Sequence, residues 1–220
     1  MTHFLEKILS TKRYTTYVEL SQREGETRAP HDLYALNMAY SKELYIMLGG
    51  LEVDIRNQFN KAIVKAYKKE DWFSLDIFEK KHKKQINDAT DYVARMKKNA
   101  YTFDDIIAHL NYGFWVNLCN RPYEKELWIR ALYKCFPYLG QKPNRDDIRR
   151  RLSRTHTLRN KIAHLEPIIK NEELLIQEYR NASELLYSIS PDTQEWFQTI
   201  CNFEEIWHNR NKQNTREKLK

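Results

Sequence analysis

The apolar residues of this chain recur at spacings of three and four almost throughout, and strict alternation of apolar and polar residues is rare. Such spacing places apolar side chains on one face of a helix. Glycine and proline together make up only 11 of the 220 residues, or 5%, whereas they make up roughly 12% of average proteins. Few turn-forming residues favour long helices over a many-stranded sandwich or barrel. We therefore predict an all-α fold.

The pattern predicts one long helix and several shorter ones. Residues 32–69 carry one apolar stripe, interrupted only by Gly49-Gly50, a pair that predicts a kink or a division of the helix. Thr102 and Asp105 have the spacing of a capping box and open a predicted helix that runs to residue 118. Further helices are predicted over residues 79–98, 122–136, 146–165, 172–188 and 191–207, with a loop at 138–144.

These segments predict a single all-helical domain over residues 1–207, followed by a charged tail at residues 208–220. The N-terminus lacks the apolar core of a secretory signal, and no apolar stretch reaches the ~18 residues of a membrane span. The three cysteines form no C-x-x-C pair, so neither a disulfide framework nor a zinc site is indicated. We expect a cytoplasmic protein with no membrane partner, no cofactor and no metal.

The net charge of +7 is concentrated in two places. Residues 142–164 contain eight Lys or Arg and two Asp, residues 206–220 contain five Lys or Arg and one Glu, and the rest is mildly acidic. A charge run is often only a solvated helix face, but it also attracts anions such as RNA. The residues expected to bind RNA are Arg149, Arg150, Arg151, Arg154, His156 and Lys161.

One arginine interrupts the apolar pattern of the helix predicted at 146–165. At 100° per residue, Arg159 lies about 20° from Ile148, in the middle of the apolar stripe. A guanidinium there is costly unless it is paired or binds an anion. On one flank, His156, Asn160 and His164 are spaced four apart. Since a proline follows at 167, His164 is expected in the last turn, where the helix dipole favours imidazolium.

These residue types suit metal-independent cleavage of RNA. Attack by a ribose 2′-OH on phosphorus needs a group that transfers protons and a cation for the charge on the phosphoryl oxygens. His164 supplies the first, Arg159 supplies the second, and Asn160 is available to orient them. The motif H-E-x-x-H is absent. The structural alternative is that Arg159 pairs with a buried carboxylate while His164 caps the helix.

The stretch LRNKIAHLEPI, residues 158–168, resembles the Abi-like abortive-infection proteins, which belong to the HEPN group of all-helical ribonucleases. The family's R-N-x-x-x-H core matches Arg159, Asn160 and His164. A second resemblance is LEVDIRNQF at 51–59, and a looser third is NYGFWVNLC at 111–119. The matches keep the family order across about residues 40–190.

The resemblance implies a helical bundle of HEPN type, here with additional N-terminal helices. It also implies a homodimer in which two R-N-x-x-x-H helices face each other and form one composite site. Arg159 and His164 lie about 140° apart on a single helix, so a symmetric pair could bring one chain's Arg near the other's His. The chain departs from the family at Leu165, where a second His is common. It also departs at Glu166, where adenylylated HEPN toxins carry a tyrosine.

The earlier motif has two interpretations. Glu52 and Arg56 are spaced i, i+4, and the pattern alone favours a surface pair worth about 0.3–0.5 kcal/mol. The resemblance instead implies that Glu52, Arg56 and Asn57 pack beside the helix that carries Arg159.

The leading hypothesis is a homodimeric HEPN-type endoribonuclease acting in phage defence by abortive infection or as a toxin. It leaves room for a regulatory RNA or an antitoxin as a further partner. The alternative is a non-catalytic RNA-binding module in a ribonucleoprotein with a structured partner RNA. Basic charge suits both equally, and only Arg159 and His164 separate them.

Overall fold

A computed structural model describes residues 2–98 and 100–210 of the chain. Within these ranges the protein is all-helical and contains no strand, which confirms the predicted class. The charged tail predicted at 208–220 lies outside the described residues from residue 211 onward. The helices are α1 (Thr2–Ile8), α2 (Thr11–Ser21), α3 (Pro30–Tyr67), α4 (Lys80–Met96), α5 (Phe103–His109), α6 (Tyr112–Asn117), α7 (Arg145–Ala163), α8 (Glu172–Ile189), α9 (Pro191–Ile200) and α10 (Phe203–Asn209).

Helix α3 is the central element of the fold. It runs without a break through Gly49-Gly50, so the predicted division at this pair is wrong. A Cβ at Gly50 would overlap the ring of Phe197, which α9 places against α3. The glycine at this position therefore serves close helix packing and not a turn.

Two predicted helices are each divided in the structure. The helix expected from residue 103 to residue 118 is α5 and α6, because the Asn111 side chain accepts a hydrogen bond from Phe114 N at 2.9 Å and starts a new helix. The capping box at Thr102 and Asp105 is confirmed. The helix expected at 191–207 is α9 and α10. The single helix predicted at 122–136 is wrong: the segment consists of short 3₁₀ and π turns (Arg121–Tyr123, Glu124–Trp128 and Leu132–Cys135).

The core surrounds α3 and positions α7. One continuous cluster of buried side chains extends from Tyr17 to Trp207. Helix α7 packs against α3, α6 and α8, and its buried residues include Ile148, Leu152 and Leu158 on the predicted apolar stripe. The three cysteines are buried and unpaired. No helix in the described ranges is long and apolar enough to cross a membrane.

Candidate active site

The flank of α7 that faces α3 and α6 carries a network of polar side chains. Arg159 Nε donates to Glu52 Oε2 at 3.0 Å, across to α3. Arg159 Nη1 lies 3.5 Å from Asn160 Oδ1, and Asn160 Nδ2 lies 3.0 Å from His156 Nε2. Because arginine only donates, the Asn160 oxygen faces Arg159 and its amide donates to His156. His156 Nε2 is therefore the acceptor, and its proton sits on Nδ1. We call Glu52, Arg159, Asn160 and His156 the inner network.

His156 lies in a tightly packed setting beside helix α6. Its ring meets the Tyr112 ring edge-on, with centroids 5.6 Å apart, and Tyr112 Oη is 2.9 Å from Thr155 Oγ1. A Cβ at Gly113 would approach His156 Nε2 to 3.0 Å, so the glycine leaves room for the imidazole. Burial lowers the pKa of His156, the nearby Arg159 lowers it further, and Glu52 acts in the opposite direction. His156, predicted to bind RNA, thus lies within the inner network as a neutral hydrogen-bond acceptor.

His164 ends helix α7, as predicted. Its backbone N–H donates to Asn160 O at 2.9 Å, and its own carbonyl accepts from Arg13 Nη2 at 2.8 Å. The imidazole is exposed and makes no hydrogen bond among the described residues. Arg13 is not among the residues predicted for the site. A cation is favourable at a helix C-terminus, but no local pattern could connect residue 13 with residue 164.

The backbone turns sharply just after His164. Leu165 N donates to Ile162 O and Glu166 N donates to Lys161 O, each at 2.9 Å, which is the hydrogen-bond pattern of a Schellman motif. Leu165 has φ +54°, a left-handed conformation that usually favours glycine, and its side chain is 57% exposed. The turn leaves His164 and Leu165 at the protein surface at the end of α7.

Glu52 pairs with α7 and not with its neighbour on α3. Its ion pair with Arg159 joins side chains that are 21% and 28% exposed, respectively. No ion pair between Glu52 and Arg56 occurs in the part of the chain that the structure describes, so the predicted surface pair is wrong. Arg56 Nε instead donates to Asn57 Oδ1 at 3.3 Å. Of the three residues expected beside α7, Glu52 makes the contact.

The basic residues of α7 separate by flank. Arg149, Arg150, Arg154 and Lys161 line a cleft of about 570 Å³ between α7 and α8. Arg151 points elsewhere, since its Nε donates to Asn181 Oδ1 and its Nη2 to Glu184 Oε2, both at 2.9 Å. The residues predicted to bind RNA therefore do not form one surface: four share the cleft, Arg151 is held by α8, and His156 belongs to the inner network.

Comparison with known proteins adds no relative. No protein-family model matches the chain, no curated protein matches it, and no solved structure matches it. Among the described residues, no group of three or more His, Cys, Asp or Glu is arranged to hold a metal ion. The chemistry of the inner network, His164 and the cleft is therefore the ground for a functional proposal.

Proposed function

We propose that this protein is a metal-independent endoribonuclease of HEPN type. The observation that carries the proposal is the fixed guanidinium of Arg159 on the helix that ends in the exposed imidazole of His164. Glu52 accepts hydrogen bonds from both Nε and Nη2 of Arg159, and Nη1 is directed to Asn160, so the cation is oriented before a substrate arrives. A preorganised cation stabilises developing charge without paying reorganisation energy during the reaction.

The proposed reaction divides the work between these side chains. A neutral His164 takes the proton from a ribose 2′-OH while that oxygen forms a bond to the adjacent phosphorus. The bond from phosphorus to the 5′-oxygen breaks, and a protonated His164 from the second copy gives a proton to that leaving oxygen. Arg159 binds the phosphoryl oxygens as charge gathers on them. The products are a 2′,3′-cyclic phosphate and a 5′-hydroxyl.

A second copy of the chain has a suitable surface on which to dock. Tyr45, Gly49 and Val53 are spaced four apart on α3, next to Glu52, and the two larger side chains are 47% and 45% exposed. Trp196 and Ile200 on the adjoining α9 are 57% and 41% exposed. An exposed apolar surface of this kind is typical of an interface. We propose that it forms the twofold contact that brings two α7 helices together.

The biological role follows from the sequence resemblance alone. An Abi-like chain with this chemistry would act in phage defence by abortive infection or as a toxin, by cutting cellular RNA. A protein of either kind has to be restrained until it is needed, and a regulatory RNA or an antitoxin would supply the restraint.

The decisive experiment compares cleavage of mixed RNA, in the presence of EDTA, by the wild type, His164→Ala and Arg159→Ala. Each substitution should reduce the rate at least about 100-fold, because each removes a group used in the transition state. RNA binding by the same variants should remain. His208→Ala is the matched control, since His208 is an exposed histidine on α10. Cleavage by His164→Ala at the wild-type rate would contradict the proposal, and binding without any cleavage by the wild type would favour the non-catalytic RNA-binding module.

The dimer has a separate test. Val53→Arg places a charge in the proposed contact and should yield a monomer in sedimentation experiments, with loss of cleavage. Tyr92→Arg introduces the same charge at a tyrosine that is 42% exposed on α4, away from the contact. If both variants sediment like the wild type and cleave equally well, the proposed contact is wrong.

A further inference from the structure

The cleft between α7 and α8 combines three chemical features that no step of the proposed cleavage uses. Its floor is aliphatic, with Leu158, Ile168, Leu174 and Leu175 among the lining side chains. Its rim is cationic and includes Lys161 and Lys170, neither of which forms an ion pair within the described ranges. Leu174 is 42% exposed although it is apolar. An apolar cavity whose rim includes these two lysines is suited to an anionic ligand with a flat or apolar body.

A buried carboxylate provides the third feature. Glu178 lines the same cleft and is only 6% exposed. Its Oε1 accepts a hydrogen bond from Arg154 Nε at 2.8 Å, but its Oε2 is buried and accepts none from the residues described. A buried acceptor without a donor is destabilising and uncommon. Arg154 is 45% exposed, so it can move outward and let a donor reach the carboxylate.

These features select among the classes of anion. A simple aliphatic anion would satisfy the floor and the lysines, but it brings no donor to Glu178. A nucleotide offers all three groups: a flat base for the aliphatic floor, phosphates for the lysines, and N–H donors on the base edge. Carboxylates accept hydrogen bonds from exocyclic amino groups of bases.

The position of the cleft connects it with the candidate active site. Lys161 and His164 are three residues apart at the end of α7, so their side chains lie on neighbouring positions of one helix surface. We propose that the cleft binds one nucleotide of the RNA substrate, with its base over Leu158 and Leu174, its exocyclic amino group on Glu178 and its phosphates on Lys161 and Lys170. This inference rests on the proposed ribonuclease function. It makes the cleft a specificity site that disfavours uracil, which has no amino group and whose single N–H is flanked by two carbonyl oxygens.

Uncleavable RNA tests the inference apart from catalysis. Octamers of 2′-O-methyl adenosine, cytidine or uridine lack the attacking 2′-OH, so their binding to the full chain is independent of cleavage. The adenosine and cytidine octamers should bind about tenfold more tightly than the uridine octamer, the difference expected of one hydrogen bond to a carboxylate. Glu178→Gln should reduce this preference to about twofold or less, because an amide both donates and accepts. Glu184→Gln, at a carboxylate whose side chain is 70% exposed, should leave it unchanged.

A second pair of variants tests the floor of the cleft. Leu174→Glu should weaken binding of all three octamers at least about tenfold by placing a negative charge beside the phosphates. Tyr187→Glu makes a comparable change at a position of α8 that is 49% exposed and outside the cleft, and it should have little effect. Both positions are at the surface, so these variants remain informative even if Glu178→Gln does not fold.

The outcomes separate the two proposals. Equal binding of the three octamers, or no binding of any, overturns the specificity site even if the protein cleaves RNA. A preference against uridine that Glu178→Gln abolishes supports the site even if the protein cleaves nothing. Weakening by Tyr187→Glu as large as that by Leu174→Glu would also overturn it.

Discussion

The two flanks of α7 carry similar charged and polar side chains, but they differ in how these side chains are held. On the flank facing α3 and α6, Arg159 and Asn160 are linked to Glu52 and His156 in one network of hydrogen bonds. On the flank facing α8, Lys161 has no ion pair among the described residues, and Arg150, whose side chain is 69% exposed, pairs with Asp147 of the same helix at 3.1 Å. The inner flank holds Arg159 against a second helix, whereas Arg150 and Lys161 on the outer flank are exposed to solvent.

This difference shows why net charge alone is a poor guide to function. Arg159 and Arg150 add equally to the total charge of the chain, but Arg159 is held by a carboxylate of another helix and is 28% exposed, whereas Arg150 pairs only with Asp147 on its own helix. Positioning is what a catalytic cation requires, and mobile exposed cations suffice to attract a phosphate backbone. Substitutions on the inner flank should therefore change mainly the free energy of unfolding, and substitutions on the outer flank should change mainly the affinity for RNA.

The largest effect on stability is expected from Glu52→Ala. The change leaves the guanidinium of Arg159 partly buried without its partner, and we expect the free energy of unfolding to fall by about 2 kcal/mol, between the values for exposed and buried pairs. Urea denaturation measures it. Glu184→Ala is the control, since Arg151 keeps its bond to Asn181, and it should cost no more than about 0.5 kcal/mol. Equal losses would mean that the two flanks do not differ as described.

A smaller effect is expected from Gly113→Ala. The added methyl group would lie 3.0 Å from His156 Nε2 and force the ring away from Asn160. We expect a loss of about 1 kcal/mol from this overpacking, together with a shift of the His156 resonances in NMR spectra. Gly49→Ala is the matched control, because a Cβ there would meet no atom of the described residues within 4 Å. In the interior of α3 it should stabilise the protein by up to about 1 kcal/mol.

The inner network should also make stability depend on pH. Since burial and Arg159 lower the pKa of His156 below its ordinary value of 6.5, the unfolded chain binds the proton more readily than the folded one. The free energy of unfolding should therefore fall as the pH decreases from 7 to 5. His156→Gln keeps an acceptor for Asn160 and should flatten this dependence. Burial lowers the pKa of His82 as well, so adding His82→Gln should flatten the pH dependence that His156→Gln leaves. An unchanged slope in His156→Gln would refute the assignment.

The smallest effect on stability is expected on the outer flank. Lys161→Ala should change the free energy of unfolding by no more than about 0.5 kcal/mol, because the side chain has no ion-pair partner among the residues that the structure describes. It should nevertheless lower the slope of log affinity against log salt for RNA by about one, as expected for one lost phosphate contact. Lys84→Ala, at an exposed lysine of α4, should change neither quantity.

The sequence was most informative where the signal is local. The periodicity that predicts α3, α4, α7 and α8 reflects burial of one helix face, and their ends agree with the structure to within a few residues. The boundaries between α5 and α6 and between α9 and α10 were missed, because periodicity continues across a short break. Asn111 was the available signal, since asparagine is a favoured N-cap.

The candidate site was predictable in its residues but not in its contacts. The position of Arg159 on the apolar stripe indicated a guanidinium that is either paired or bound to an anion, and the structure shows it paired with a carboxylate, as the structural alternative expects. Its partner Glu52 lies 107 residues earlier in the chain, and a helical wheel assigns it equally well to Arg56. The cleft has no sequence signature, because α7 and α8 each contribute part of its lining. In the sequence Glu178 cannot be distinguished from other helical glutamates, because its burial depends on how α7 packs against α8.

The hydrogen bond from Arg13 to the carbonyl of His164 has a consequence for how the molecule is assembled. The two residues are 151 positions apart, so the end of α7 is completed by a helix that leaves the ribosome long before α7 does. Contacts of such sequence separation form late and slowly in folding. During synthesis Arg13 is therefore made long before the carbonyl group that it caps. The end of α7 reaches its final structure only after the last turn of α7 has been synthesised.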